Sequence, residues 1–230
     1  MSHDLSALCP LPLLLGLATL CAGEAAAGAW PRPAGQGFFA TDARLSWPRV
    51  IGPEVQPPGK YYTGYLEYGL TDRITAGLDL GRSVSGNGKT VGFLRVPLTR
   101  PEATLKVSVE LGLGRIDGAP VIRPGLSIGR GFSWGDASGW LAVDSLAEIG
   151  TSTGQLDAKI DMTFGVTMPN DWKYLLQLQT GAPYGDPVFA RLAPSVVIPI
   201  GPDRYVDIGG HLGLTGDNTY GLKLGVWQKF

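Results

Sequence analysis

The chain has 230 residues, 44% hydrophobic and only 17% charged, with 34 Gly, 18 Pro and a formal net charge of −1. A soluble domain carries about 25% charged residues, so this sequence is short of the groups that hold a surface in water, yet it is too apolar for disorder. The near-zero charge excludes the basic stripe of a nucleic-acid binder, and the length fits one domain of barrel or sandwich type.

The first element is a leader. Ala7 to Gly23 is a compact apolar run built on Leu11, Leu13, Leu14, Leu15, Leu17 and Leu20, followed by small residues through Ala29. That is the layout of a secretory signal peptide, although no Lys or Arg precedes the run. Pro10 and Pro12 interrupt it, and it is shorter than the roughly 20 apolar residues of a spanning helix. Small residues at Ala25 and Ala27 predict cleavage near Ala27 or Ala29, which assigns residues 1–29 to the signal peptide and 30–230 to the mature fold. Lipid attachment at Cys21 is the alternative, and the bulk of Leu20 before it weighs against that reading. Both cysteines, Cys9 and Cys21, fall in the leader, so the mature chain has no thiol chemistry.

From Gly35 onward, period-2 alternation recurs between clusters of Gly, Pro, Asn and Asp. A first strand crosses Phe38 to Trp47, and further runs follow at Tyr62 to Leu70, Ile74 to Leu80 and Leu94 to Leu98. Thr104 to Gly114 is the clearest, with Leu105, Val107, Val109, Leu111 and Leu113 on one face and Lys106, Ser108 and Glu110 on the other. Val121 to Gly129 and Trp140 to Ile149 come next, and Leu156 to Thr167 repeats the clean alternation. Trp172 to Gln179, Val188 to Ile200, Val206 to Leu214 and Tyr220 to Phe230 complete a count of about twelve. Pro97, Pro124, Pro194 and Pro199 each remove a ladder donor and predict bulges or strand ends. Connections alternate between tight turns, as at Asp72-Arg73, and looser loops, as at Pro48 to Gly59 and Ser85 to Lys89, with Phe132 to Gly139 as an exception.

The expected fold is all-β, a closed antiparallel transmembrane barrel of about twelve strands in the bacterial outer membrane. Runs near ten residues suit a tilted strand crossing hydrocarbon, and closure pairs every backbone group where no water can. Gly69, Gly77, Gly81, Gly112, Gly165, Gly209, Gly213, Gly221 and Gly225 fall on the polar face, as a crowded lumen requires. Trp47, Tyr61, Tyr62, Trp134, Trp140, Trp172, Tyr205, Tyr220 and Phe230 stand near strand ends and predict aromatic girdles at the headgroups. An even strand number lets both termini lie on the periplasmic side, with the first and last strands as neighbours.

The last strand, Tyr220 to Phe230, resembles the carboxyl-terminal assembly signal of bacterial outer-membrane barrels: Lys223, Gly225 and Phe230 match, while Gln228 replaces an apolar residue. The hairpin Glu67 to Gly77 is similar to one recurrent in those barrels, including a small transporter family linked to phenol degradation. The resemblance implies outer-membrane lipids and the barrel-assembly machinery as partners, and names no substrate.

The polar face carries the candidate lumen residues Glu67, Asp79, Arg95, Lys106, Glu110, Arg123, Asp161, Arg191 and His211. Acidic and basic groups nearly balance, which excludes a strongly anion-focusing pore and leaves a narrow mixed-charge path or a lumen closed by its own ion pairs. The expected role is passive passage of small solutes, with a closed structural or surface-interaction barrel as the alternative. A lipid-modifying enzyme is disfavoured, since His211 is the one histidine after the leader and no Ser lies within three residues of it. One His and no mature Cys offer no metal site, and nothing calls for a cofactor. Asp157, Lys159 and Asp161 on one face read as an ion-pair ladder; Gly88-Lys89-Thr90 ends like a phosphate cradle, but Ser85 to Lys89 reads as a hairpin loop.

Overall fold

The computed structural model describes residues 28–49, 58–84 and 86–230. The signal-peptide reading therefore falls outside the described residues except for Gly28 and Ala29. Twelve strands, β1 (Gly37–Pro48), β2 (Gly59–Thr71), β3 (Ile74–Ser83), β4 (Gly88–Pro97), β5 (Leu105–Ile116), β6 (Ala119–Trp134), β7 (Ala137–Gly150), β8 (Leu156–Thr167), β9 (Lys173–Ala182), β10 (Phe189–Gly201), β11 (Arg204–Thr215) and β12 (Thr219–Lys229), form one closed sheet. All neighbours are antiparallel, and β1 closes on β12 from Phe38↔Lys229 to Pro48↔Thr219. Gly37 donates to the Phe230 carbonyl at 2.6 Å and Phe230 returns the bond at 3.1 Å, which fastens the seam at one rim. That rim, carrying both ends of the seam, is the terminal end below; the opposite rim is the far end.

The alternation turns greasy side chains outward. On β5, Leu105, Val109, Leu111 and Leu113 are exposed, while Ser108 and Glu110 between them are buried. On β8, Leu156, Ile160, Met162 and Phe164 face out, with Thr163 and Gly165 buried on the inner face. Exposed large apolar side chains of this kind recur on every strand, which a soluble monomer does not tolerate and which suits acyl chains.

Several expectations are corrected. β4 begins at Gly88, so Gly88, Lys89 and Thr90 are strand and the connection spans only 84–87; ladder pairing of Lys89 with Gly81 and Ile116 overrides the glycine turn signal. The gap at Phe132 to Gly139 is a two-residue turn, because β6 runs to Trp134 and β7 starts at Ala137. Tight and loose connections do not segregate cleanly, since the far end has the two-residue turn Asp117-Gly118 and the terminal end has the longer 98–104. Pro97 ends its strand and Pro199 adjoins a register shift, as expected. Pro124 and Pro194 instead sit mid-strand with the register intact on both sides. They point outward, and each interrupts the ladder with only one neighbour.

Candidate functional site

The enclosed polar face is built from alternate residues of every strand, and residues 28–36 run up inside it from the terminal end. Ala34 bridges Gly69, and Gly35 donates to the Gly69 carbonyl at 2.9 Å. The Arg32 amide donates to Thr75 Oγ1 at 2.9 Å, and its guanidinium pairs with Glu67 at 2.7 Å. At the inner tip, Ser108 Oγ donates to the Gly28 carbonyl at 2.6 Å, and the Gly28 amide donates to Asp144 Oδ1 at 3.1 Å. Nothing in the sequence marks this segment as folded, because Pro31 and Pro33 break any alternation.

An ion-pair ladder climbs the β2–β6 wall. Arg95 bridges Glu67 and Glu110, the latter at 2.8 Å, and Arg123 bridges Glu110 at 3.0 Å and Asp79 at 2.6 Å. Lys89 caps it on Asp79 at 2.8 Å. The Tyr65 hydroxyl donates to Glu67 at 2.7 Å and accepts from Arg95 at 3.0 Å. The register makes this possible, because Arg95 lies directly across from Glu110 and Phe93 lies between Gly77 and Gly112. A Cβ on Gly77 would sit 2.1 Å from the Phe93 ring, so glycine lets that ring lie across the wall. The ring then underlies the guanidinium carbons of Arg95 and Arg123 at 5.1 and 5.8 Å, a contact favourable to desolvated cations.

Several glycines of the inner face are therefore notches filled by neighbouring groups. Gly165 receives Trp140, Gly81 receives the Tyr61 hydroxyl, and Gly69 receives the Pro33 carbonyl. This corrects the girdle expectation for three aromatics. Trp140 and Tyr205 are buried inside and Tyr61 points inward, whereas Tyr62, Trp134, Tyr220 and Phe230 are exposed. Trp47 stacks on Tyr220 at 5.8 Å. The terminal end is further packed by Phe38 edge-on to Trp227 at 5.7 Å, together with Val197 and Tyr205.

The opposite wall differs. Lys159 pairs with Asp161 at 2.8 Å, Arg191 with Asp217 at 3.1 Å, Arg44 with Asp42 at 2.7 Å and Lys223 with Asp207 at 2.7 Å. Water reaches several of these groups: the side chain of Lys159 is 45% exposed and that of Arg191 29%, against 2% for Arg123. Asp157 is not a rung of this set, accepting instead from the Tyr184 amide at 2.6 Å.

Of the candidates, Glu67, Asp79, Arg95, Glu110 and Arg123 are brought together in the ladder, while Asp161 and Arg191 stand apart on the opposite wall. Lys106 stays at the terminal rim, donating to the Pro101 carbonyl. His211 has a ring nitrogen 3.2 Å from Thr219 Oγ1, and its ring occupies the space beside Gly221. Arg32, Tyr65, Phe93 and Thr75 join the site without having been foreseen. Outside the spanning strands, Asp171 is influenced first by burial, which opposes its charge, but hydrogen bonds from Lys173 and Tyr205 outweigh this and hold its carboxyl below the ordinary range.

No family model matches the sequence, and no curated protein does either. Among solved structures, an outer membrane channel from Pseudomonas putida F1 is similar at 12% identity and TM-score 0.57, over 88% of this chain and 98% of that one. The KdgM porin is similar at 9% identity and TM-score 0.60, over 83% of this chain and 99% of that one. The same porin has been solved in complex with disordered oligogalacturonate. The fold of this chain is a twelve-stranded antiparallel barrel of the bacterial outer-membrane type.

Proposed function

We propose that the chain is exported by its leader, is assembled in the bacterial outer membrane by machinery that reads the strand ending in Gly225 and Phe230, and passes small polar solutes through a mixed-charge lumen. The terminal end is assigned to the periplasm, a placement that the even strand number allows by setting both termini at one rim. The far end then opens outward as a hydrated vestibule in which Asp161, Arg191 and His211 meet the solute. Glu67, Asp79, Arg95, Glu110 and Arg123 hold the other wall in place, Lys106 sits at the periplasmic rim, and residues 28–36 narrow the route between them.

The observation that carries this reading is the partial exposure of paired charges on the inner face, since groups such as Lys159 and Arg191 are wet although they point away from the lipid. Mixed signs at close quarters suit small polar solutes of either charge. The shared fold of a channel and a porin is consistent with this use.

A closed barrel without transport is the second reading, favoured by the filled glycine notches and by Ala29 and Arg32, which are only 1% and 5% exposed. Planar-bilayer recording separates the two. The folded protein is expected to give small conductance steps, and Arg32→Ala, which frees the inner segment from Glu67, larger or more frequent ones. No steps from either folded protein would overturn the passage reading and leave the closed barrel.

A further inference from the structure

We infer that the leader is cut between Ala27 and Gly28, and that the α-ammonium created there is received by the Asp144 carboxylate inside the barrel, pinning residues 28–36 within the lumen. The cut is a hydrolysis. Water adds across the amide bond, its oxygen goes to Ala27, which leaves with the new carboxylate, and the Gly28 nitrogen keeps its bond to Cα and takes up both of the water's protons to become the ammonium.

Four observations converge on this point. Ala25 and Ala27 supply the small residues that a signal peptidase reads before the bond it cuts. Gly28 and Ala29 already belong to the folded barrel, since Ser108 Oγ donates to the Gly28 carbonyl at 2.6 Å and Ala29 is 1% exposed. Removal of both with the leader would strip Ser108, itself 1% exposed, of that acceptor, at the cost of an unsatisfied buried hydroxyl. The absence of a side chain lets the Gly28 backbone lie against this polar pair, since a Cβ there would stand 2.5 Å from Ser127 Oγ and 2.8 Å from Asp144 Oδ1.

The fourth is the condition of Asp144. The register sets it directly across from Asp161, and like charges so placed repel. Asp161 has Lys159 at 2.8 Å, whereas no salt bridge to Asp144 is found among the described residues. The Gly28 nitrogen lies 3.1 Å from Asp144 Oδ1. Once freed it carries three donors and a positive charge where a partly enclosed carboxylate lacks a counter-ion, a pairing stronger than that of a neutral amide. The nearby Arg95 is already bound by Glu67 and Glu110, so its charge is offset before the ammonium arrives.

The inference rests on the export reading and not on whether the barrel conducts. Intact mass and amino-terminal sequencing of the protein purified from outer membranes test the cut. Gly28 as first residue is the expected result; a leaderless chain starting anywhere else overturns the inference while leaving export standing, and a chain that keeps Met1 overturns both. The pair is tested by acetylating the α-amine of the folded protein across pH. In the natural protein the amine is expected to titrate above the ordinary range of about 7.7–8.0, and in Asp144→Asn to return toward it. An ordinary or lowered value in the natural protein overturns the pair even if the variant does not fold, and steric shielding alone would slow labelling without moving that value.

Discussion

The two walls of the interior carry the same chemistry in opposite states. Along β2 to β6 the charges are interlocked, and Glu67, Arg95, Glu110 and Arg123 at their centre are dry; across the lumen, Lys159 with Asp161 and Arg191 with Asp217 are separate pairs within reach of water. Charge count does not separate them. The dry wall has Phe93 lying over Gly77, which places an aromatic face under the guanidinium groups and excludes solvent, and it also has residues 28–36 folded over its terminal half. Buried pairs of this kind are costly to break singly, while wet pairs contribute little.

The largest effect that tests this contrast is Arg95→Ala. It leaves Glu67 and Glu110 without the cation between them and is expected to cost about 3–5 kcal/mol, read as the urea midpoint of the protein refolded in vesicles. Next comes Gly77→Ala, whose methyl would stand 2.1 Å from Phe93 and should cost about 1–3 kcal/mol through overpacking. Gly92→Ala is its control on the outer face, where the nearest atom is the Gly77 carbonyl oxygen at 3.9 Å, and it should be nearly neutral. Equal effects at these two glycines would dissolve the distinction between filled notch and open surface.

On the wet wall, Arg191→Ala is expected to change stability by no more than about 1 kcal/mol yet to shift ion selectivity in bilayers; unchanged selectivity in a conducting barrel would remove that side chain from the path. The smallest effect lies at the terminal rim. The Asp171 carboxyl is held below its ordinary range in the folded protein, so the stability it adds is present above the unfolded carboxylate pKa and is lost as pH falls through the lower folded value. Asp171→Asn should lower stability modestly at neutral pH and flatten the acid limb of a stability-versus-pH curve, so that variant and natural protein converge at low pH.

Alternation made the strands and their faces legible wherever side chains contrast strongly. β8 runs from Leu156 to Thr167 as its pattern states, and the inner position of Glu67, Arg95 and Glu110 follows from phase alone. Phase also governs Trp140, which shares a face with Asp144 and so turns inward; nearness to a strand end says nothing about which face a ring takes. The start of β4 was illegible because Gly88 looks like a turn residue until neighbouring strands pair with it. Residues 28–36 were illegible for a different reason. They have no periodicity of their own and take shape only through contacts with Gly69, Thr75, Ser108 and Asp144, which lie far along the chain.

Cysteine labelling tests the divided interior most directly, since both native cysteines lie at positions 9 and 21 within the proposed leader. With a membrane-impermeant maleimide applied to the folded protein in outer-membrane vesicles, Lys159→Cys is expected to react readily and Ser108→Cys only after unfolding. Equal reaction at the two positions in the folded barrel would contradict a lumen that is hydrated along one wall and sealed along the other.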